Sequence, residues 1–223
     1  MTTARTIIPN REECLRLMET HGMLANIRAH SITVCRFALA IAQAVNDGGC
    51  DFHLPAIEAG ALLHDITKTR SLTTGENHAR TGADLLRDLG YAAVADMVEQ
   101  HVTPRDQGGE LTAGELLSYA DKRVLHDRVV SIDERFAYLY ERYGRDAQDL
   151  QRISRARVST QEIEDKLRAR RNGSAQAIIC DFTCQEQACH LRLPPAQPSA
   201  PASATPSGIR SHRKSTMPPS AIS

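Results

Sequence analysis

Apolar residues along most of the chain recur at three- and four-residue spacing, the period of a helix with one buried face, and the runs are separated by Gly, Pro and capping residues. Asn10-Arg11-Glu12-Glu13 has the form of a capping box and opens a short helix with Cys14, Leu15, Leu17 and Met18 that ends at Gly22. A second helix is predicted over 23–45. It carries Ile27, Val34, Leu39, Ile41 and Val45, has Ala38, Ala40, Ala42 and Ala44 for close packing, and is stopped by Asp47-Gly48-Gly49. Pro55 suits the first turn of a third helix, whose apolar positions Ile57, Ala61, Leu62 and Leu63 lead to His64. Residues 69–76 read as a loop. A fourth helix follows with Ala79, Ala83, Leu85, Leu86 and Leu89, ending at Gly90, and a fifth over 91–101 with Val94, Met97 and Val98. Pro104 and Gly108-Gly109 end that stretch. Thr112-Ala113-Gly114-Glu115 is a second capping box, opening a helix through Leu116, Leu117, Ala120, Val124 and Leu125, and Ser131-Ile132-Asp133-Glu134 opens the next, with Phe136, Leu139 and Tyr140.

Residues 146–171 are long and charged, with a thin apolar stripe (Leu150, Ile153, Val158, Ile163, Leu167) that a break at Ser159 would divide; the pattern fits a packing arm and a partner surface equally. Outside 177–182 no run reads as a strand. The expected architecture is therefore all-α: an N-terminal helix (1–22), a helical bundle (23–145), a charged helical arm (146–175) and a tail (190–223). After Pro194 the tail is dominated by Pro, Ser, Ala and Thr, without an aromatic residue. Such a segment cannot bury enough surface to offset its ordering entropy, so it is expected to be disordered.

Charge adds one point. The 27 basic and 27 acidic residues balance over the whole chain, but no acidic residue follows Cys189 while Arg192, Arg210, Arg213 and Lys214 do. The body is thus mildly acidic, which argues against nucleic acid as a partner. No apolar run approaches the roughly 20 residues that span a bilayer, so no membrane partner is expected. The N-terminus lacks the apolar stretch of an export signal. The six scattered cysteines then read as reduced thiols, and a cytoplasmic location is expected. Cys180, Cys184, Cys189 and His190 are four soft ligands whose spacing is not that of a standard zinc knuckle or finger.

The chemistry lies in polar residues placed among apolar helical ones: His30 in the second helix, His64-Asp65 ending the third, His78 starting the fourth, His101 ending the fifth, and Asp121 in the middle of the sixth. Adjacent His and Asp in a core helix are costly unless they find partners. Neutral imidazoles and carboxylates together suit Mn, Fe, Co, Ni, Mg or Zn rather than a thiolate metal, and helices converging in a bundle can assemble such a set.

In order and context, His30, then His64-Asp65, then Asp121 resembles the H…HD…D signature of the HD-domain metal-dependent phosphohydrolases, and His64-Asp65-Ile66-Thr67-Lys68 resembles that family's HDIxK form (the HDIG-like subgroup). The resemblance covers about residues 24–128 and implies the family's helical bundle. It also implies a site in which His30, His64, Asp65 and Asp121 hold one divalent metal, Asp65 bridges to a second held by His78 and His101, and Lys68 neutralises a substrate phosphate. Where fuller members carry two adjacent histidines, Val102 follows His101 here, and Asn26 stands where some carry an acidic ligand. The implied activity is hydrolysis of a phosphoester or phosphoanhydride of a nucleotide or similar small phosphorylated metabolite by a metal-activated water, with Asp65 and Lys68 as catalytic residues. The alternative is a non-catalytic metal- or nucleotide-binding regulatory module. His78 also reads as a helix N-terminal surface residue, His101 as a cation at a helix C-terminus, and Arg123 and Arg128 as exposed helix charges. Oligomeric state is left open.

Overall fold

The computed structural model describes residues 7–105 and 108–170. Among these, nine helices and one two-stranded hairpin follow in the order α1 (Arg11–Thr20), α2 (Ala25–Asp47), α3 (Leu54–Leu63), α4 (Lys68–Thr74), α5 (His78–Asp88), α6 (Ala92–Gln100), α7 (Ala113–Lys122), β1 (Val124–Leu125), β2 (Arg128–Val129), α8 (Ile132–Tyr143) and α9 (Ala147–Ala169). The predicted 177–182 strand, the Cys180–Cys184–Cys189 group and the 190–223 tail lie outside the described residues.

The local signals explain most boundaries. Asn10 caps α1 by accepting from Glu13 N at 2.9 Å. The Glu13 carboxylate does not complete the expected box; it pairs with Arg16 at 2.6 Å instead. The Thr112–Glu115 box is complete: Thr112 Oγ1 accepts from Glu115 N at 3.1 Å and Glu115 Oε2 from Thr112 N at 2.9 Å. Glu115 then spends its other oxygen on Lys166 of α9, at 2.7 Å. Asn77 caps α5 through the amides of Ala79 and Arg80.

The long helix α2 lies along α3 and also packs on α7, which in turn meets α6 and α9. Phe37, Ala38, Ala42 and Val45 of α2 meet Leu62 and Leu63 of α3 and Leu116, Leu117 and Ala120 of α7 in one fully enclosed core. Gly82 lets α5 settle against this body: a Cβ there would already touch Ile66 and Val98 at 3.4 Å. That approach brings the start of α5, and with it His78, up to the turn following α3.

Two expectations change and one open point is decided. The 69–76 loop is largely helical, because the chain turns at 64–67 and restarts as α4 at Lys68. The residues after α7 form a tight antiparallel hairpin, Val124 opposite Val129, with His126 at φ +57° in its turn. The charged arm is an unbroken helix that packs on α7 and α8. Its buried line is Ile153, Thr160, Ile163 and Leu167, whereas Val158 is 58% exposed. At 100° per residue Val158 falls about 140° from Ile153, off the buried face.

Candidate metal centre

Six side chains from five helices and their ends meet at one end of the α2–α3–α7 core. His30 is on α2, His64 and Asp65 follow the last turn of α3, His78 is the first residue of α5, His101 follows α6, and Asp121 is the penultimate residue of α7 rather than mid-helix. Ligand atoms of His30, His64 and Asp65 lie within 4.8 Å of one another, and so do those of Asp65, His78 and His101. Asp65 is common to both groups. Asp121 Oδ1 adds to the first, 3.0 Å from His30 Nε2 and 3.7 Å from His64 Nε2. On the other side, His78 Nε2 is 3.2 Å from Asp65 Oδ1 and 3.2 Å from His101 Nε2.

Backbone carbonyls fix the imidazoles. His64 Nδ1 donates to Ala61 O at 2.8 Å, His101 Nδ1 to Val98 O at 2.7 Å, and His30 Nδ1 to His126 O at 2.8 Å. A carbonyl only accepts, so each Nδ1 carries a proton; a neutral ring at His64 or His101 then presents its Nε2 lone pair to the centre, whereas His30 Nε2 donates to Asp121 Oδ1 at 3.0 Å and offers its lone pair once that proton leaves. This is how metal-ligating imidazoles are oriented. The consequence is an excess of acceptors: His64 Nε2 stands 3.6 Å from Asp65 Oδ2, and His101 Nε2 stands 3.6 Å from Asp65 Oδ1. His64 Nε2 and Asp65 Oδ1 are buried without a hydrogen-bond partner. Buried polar atoms are rarely left so. Lone pairs converging from nitrogen and oxygen at one buried point are a donor set that could hold a divalent cation with N/O ligation.

The electrostatics agree. Burial by itself raises the Asp65 carboxyl, but the charge of His64, contacts from His101 and His78, and the charge of Lys68 outweigh it and hold the group well below the usual carboxylate range. For Asp121, burial is likewise overcome, chiefly by Lys122 and the hydrogen bond to His30. Complete burial drives His64 down to about 4, so its ring is neutral at pH 7. Burial also lowers His78. His30 is pulled down by burial but ends raised, because of its hydrogen bond to Asp121 and the charges of Asp121 and Asp65.

Several contributors carry no motif. Lys122 is 9% exposed and reaches Asp121 Oδ2 at 2.7 Å and His101 O at 3.3 Å; in sequence it is an ordinary last-turn lysine. Thr67 Oγ1 donates to His78 O at 2.9 Å and fastens the start of α5. The His126 carbonyl, invisible to any side-chain reading, holds His30. Arg123 is not an exposed charge: it is 2% exposed, donates from Nε to Val130 O at 2.7 Å and pairs with Glu164 at 3.3 Å. Arg128 is exposed, 3.6 Å from Glu134. His21 and His53 are the exposed caps of α1 and α3. Lys68 does not continue α3, yet its Nζ lies 3.2 Å from His78 Nε2.

An all-α bundle whose helix ends present this histidine–aspartate cage defines a class, and the chain's relatives name it. Residues 27–146, just over half of the chain, match the family model for the HD domain, and the chain belongs to that family. It is 26% identical over 143 residues to an uncharacterised protein of Methanocaldococcus jannaschii, a match covering 57% of this chain and 83% of that one. It is 39% identical over 97 residues to the tRNA (cytidine(56)-2'-O)-methyltransferase of Thermoplasma volcanium, and 28% identical over 142 residues to that of Picrophilus torridus. These matches cover 43% and 57% of this chain but 27% and 40% of the methyltransferases, so the chain spans less than half of their length. Among solved structures, a predicted HD superfamily hydrolase from an uncultured Thermotogales bacterium aligns over 73% of this chain and 93% of its own, at 23% identity and a TM-score of 0.43. Among the described residues no helix is long and apolar enough to cross a membrane.

Proposed function

We propose that this protein is a metal-dependent phosphohydrolase acting on a small phosphorylated metabolite, a nucleotide or a compound of similar charge. The observation that carries the reading is the pair of ligand groups sharing Asp65, with His64 Nε2 and Asp65 Oδ1 buried and unpartnered between them. In this reading His30, His64, Asp65 and Asp121 hold one divalent cation, and Asp65, His78 and His101 a second. A cation held there supplies Lewis acidity toward a water and toward a phosphoryl oxygen.

The chain's own residues do the rest. The carbonyls of His126, Ala61 and Val98 hold three rings in the Nε2-facing orientation. Lys122 occupies the outer oxygen of Asp121, so that Oδ1 faces inward. Lys68, half-buried beside His78, supplies a positive charge for a substrate phosphate.

The test is a panel of phosphomonoesters, phosphodiesters and nucleoside polyphosphates, assayed with Mn, Fe, Co and Mg alongside elemental analysis of the purified protein. Turnover that requires a divalent metal and disappears in Asp65→Ala is the expected result. Full activity in Asp65→Ala overturns the assignment. Metal and nucleotide binding without turnover of any substrate would instead support a regulatory module.

A further inference from the structure

The two halves of the cage differ in where their lysine stands. At the His30–His64–Asp121 half, Lys122 lies behind the carboxylate. It holds Oδ2 at 2.7 Å, while the inward oxygen, Oδ1, is the one beside His30 and His64. Lys122 is also tied to the His101 carbonyl and sits in the buried last turn of α7, so it stays in place. At the other half the lysine is inside. Lys68 Nζ is 3.2 Å from His78 Nε2, the same atom that faces Asp65 Oδ1 and His101 Nε2, each at 3.2 Å. At 3.2 Å from His78 Nε2 the ammonium stands where a cation would approach that nitrogen: it occupies the space, its charge repels the incoming ion, and in the tautomer with an Nε2 lone pair it also takes up the electrons a metal needs.

Lys68 is also the lysine free to leave. It opens α4, a seven-residue helix with no buried residue, and its own side chain is half-buried at the edge of the site. Its backbone is held by Lys68 N donating to Asp65 O at 2.9 Å, so the stem can swing from a fixed root.

We propose that Lys68 is a displaceable internal cation of the Asp65–His78–His101 half-site. A second divalent ion loads against it, more weakly than the first, and loads fully when an anion draws the ammonium outward. Metal occupancy is then coupled to the arrival of a phosphate. The inference rests on the metal-centre reading above but not on turnover.

The test titrates metal-free, full-length protein with Mn2+, counting bound ions by equilibrium dialysis and free Mn2+ by electron paramagnetic resonance. The wild type should bind in two steps. Lys68→Met and Lys68→Gln, which touch no buried residue of α4, should leave the first step within about twofold and tighten the second by about tenfold or more. A second ion seen in the variants alone is the limiting case of the same result. Inorganic phosphate should strengthen the second step in wild type by a larger factor than in Lys68→Met. A second step unchanged or weakened in both variants, or no second ion in any of the three proteins, overturns the proposal. Equal strengthening by phosphate in wild type and variant overturns the anion-coupled release. Lack of turnover in the metal-loaded protein bears on the phosphohydrolase reading and leaves these binding ratios untouched.

Discussion

Glu164 lies beyond the stretch that matches the HD family, yet the geometry makes it a support of the candidate metal centre. It is 6% exposed and accepts from Tyr119 Oη at 2.9 Å, Arg123 at 3.3 Å, Arg168 at 2.9 Å and Gln161 at 3.1 Å. Arg123 in turn holds the Val130 carbonyl and so the hairpin, and the hairpin presents the His126 carbonyl to His30. Thr33 fastens the same hairpin to α2 through Asp127 O at 3.1 Å. Glu164→Ala removes the carboxylate and leaves the Arg123 guanidinium, 2% exposed, without its counter-charge.

Breaking a buried pair from one side costs about 3–5 kcal/mol, because the remaining ion is still desolvated. The Arg168 contact adds little, since that side chain is 48% exposed and its pairing is worth at most about 1 kcal/mol. With a urea m-value of about 2 kcal/mol/M, the unfolding midpoint should fall by about 1.5–2.5 M. Urea denaturation of metal-free wild type, Glu164→Ala and Glu164→Gln measures this directly, with Gln expected between the other two because it keeps an acceptor for Tyr119. In the same proteins Mn2+ titration should show the first binding step weakened, since His30 loses the fixed hairpin behind it. A midpoint shift below about 0.5 M, or a large shift with the first step unchanged, would refute the coupling from α9 through Arg123 to His30.

Other consequences are simpler. Asp65→Ala should lose bound metal from both half-sites in elemental analysis, whereas His78→Ala should keep one ion per chain; equal loss in the two would mean that Asp65 is not the shared ligand. Thr112→Ala removes half of the capping box under α7 and should cost about 1 kcal/mol in urea unfolding, with metal content unchanged. The metal-free protein should lose stability on acidification from pH 7 to pH 5. His64 is held at about 4 when folded but titrates at 6.5 when unfolded, so the unfolded chain binds the extra proton in between, a contribution of about 2 kcal/mol over that interval. His30, raised above 6.5, acts in the opposite sense, its stabilisation being present below 6.5 and lost as pH rises. Asp65 and Asp121, depressed below 3.8, add their own loss only as pH falls below that value. Greater stability at pH 5 than at pH 7 would contradict the buried, neutral state of His64.

Much of the molecule can be read from local pattern. Helix spacing, the Asn10, Thr112 and Ser131 caps and the Gly stops define their elements through interactions within one or two turns, which a sequence carries in full. The site candidates were legible for a related reason: polar residues set into apolar helical faces need partners, and five helices offered them in the order of a known family. Tertiary structure decided everything that depends on distant chain segments. Lys122 and Arg123 are adjacent charges at a helix end, indistinguishable in sequence from solvated ones; the end of α6, through the His101 carbonyl, helps hold one as the clasp of Asp121, and α9 and the hairpin bury the other as the anchor of Val130. The 64–67 turn that lets Lys68 face back toward His78 packs against α5 at Gly82, a contact between segments far apart in the chain. The His126 carbonyl carries no sequence signal at all. Spacing along a chain fixes which faces are apolar, but which charges are taken out of water depends on what packs over them.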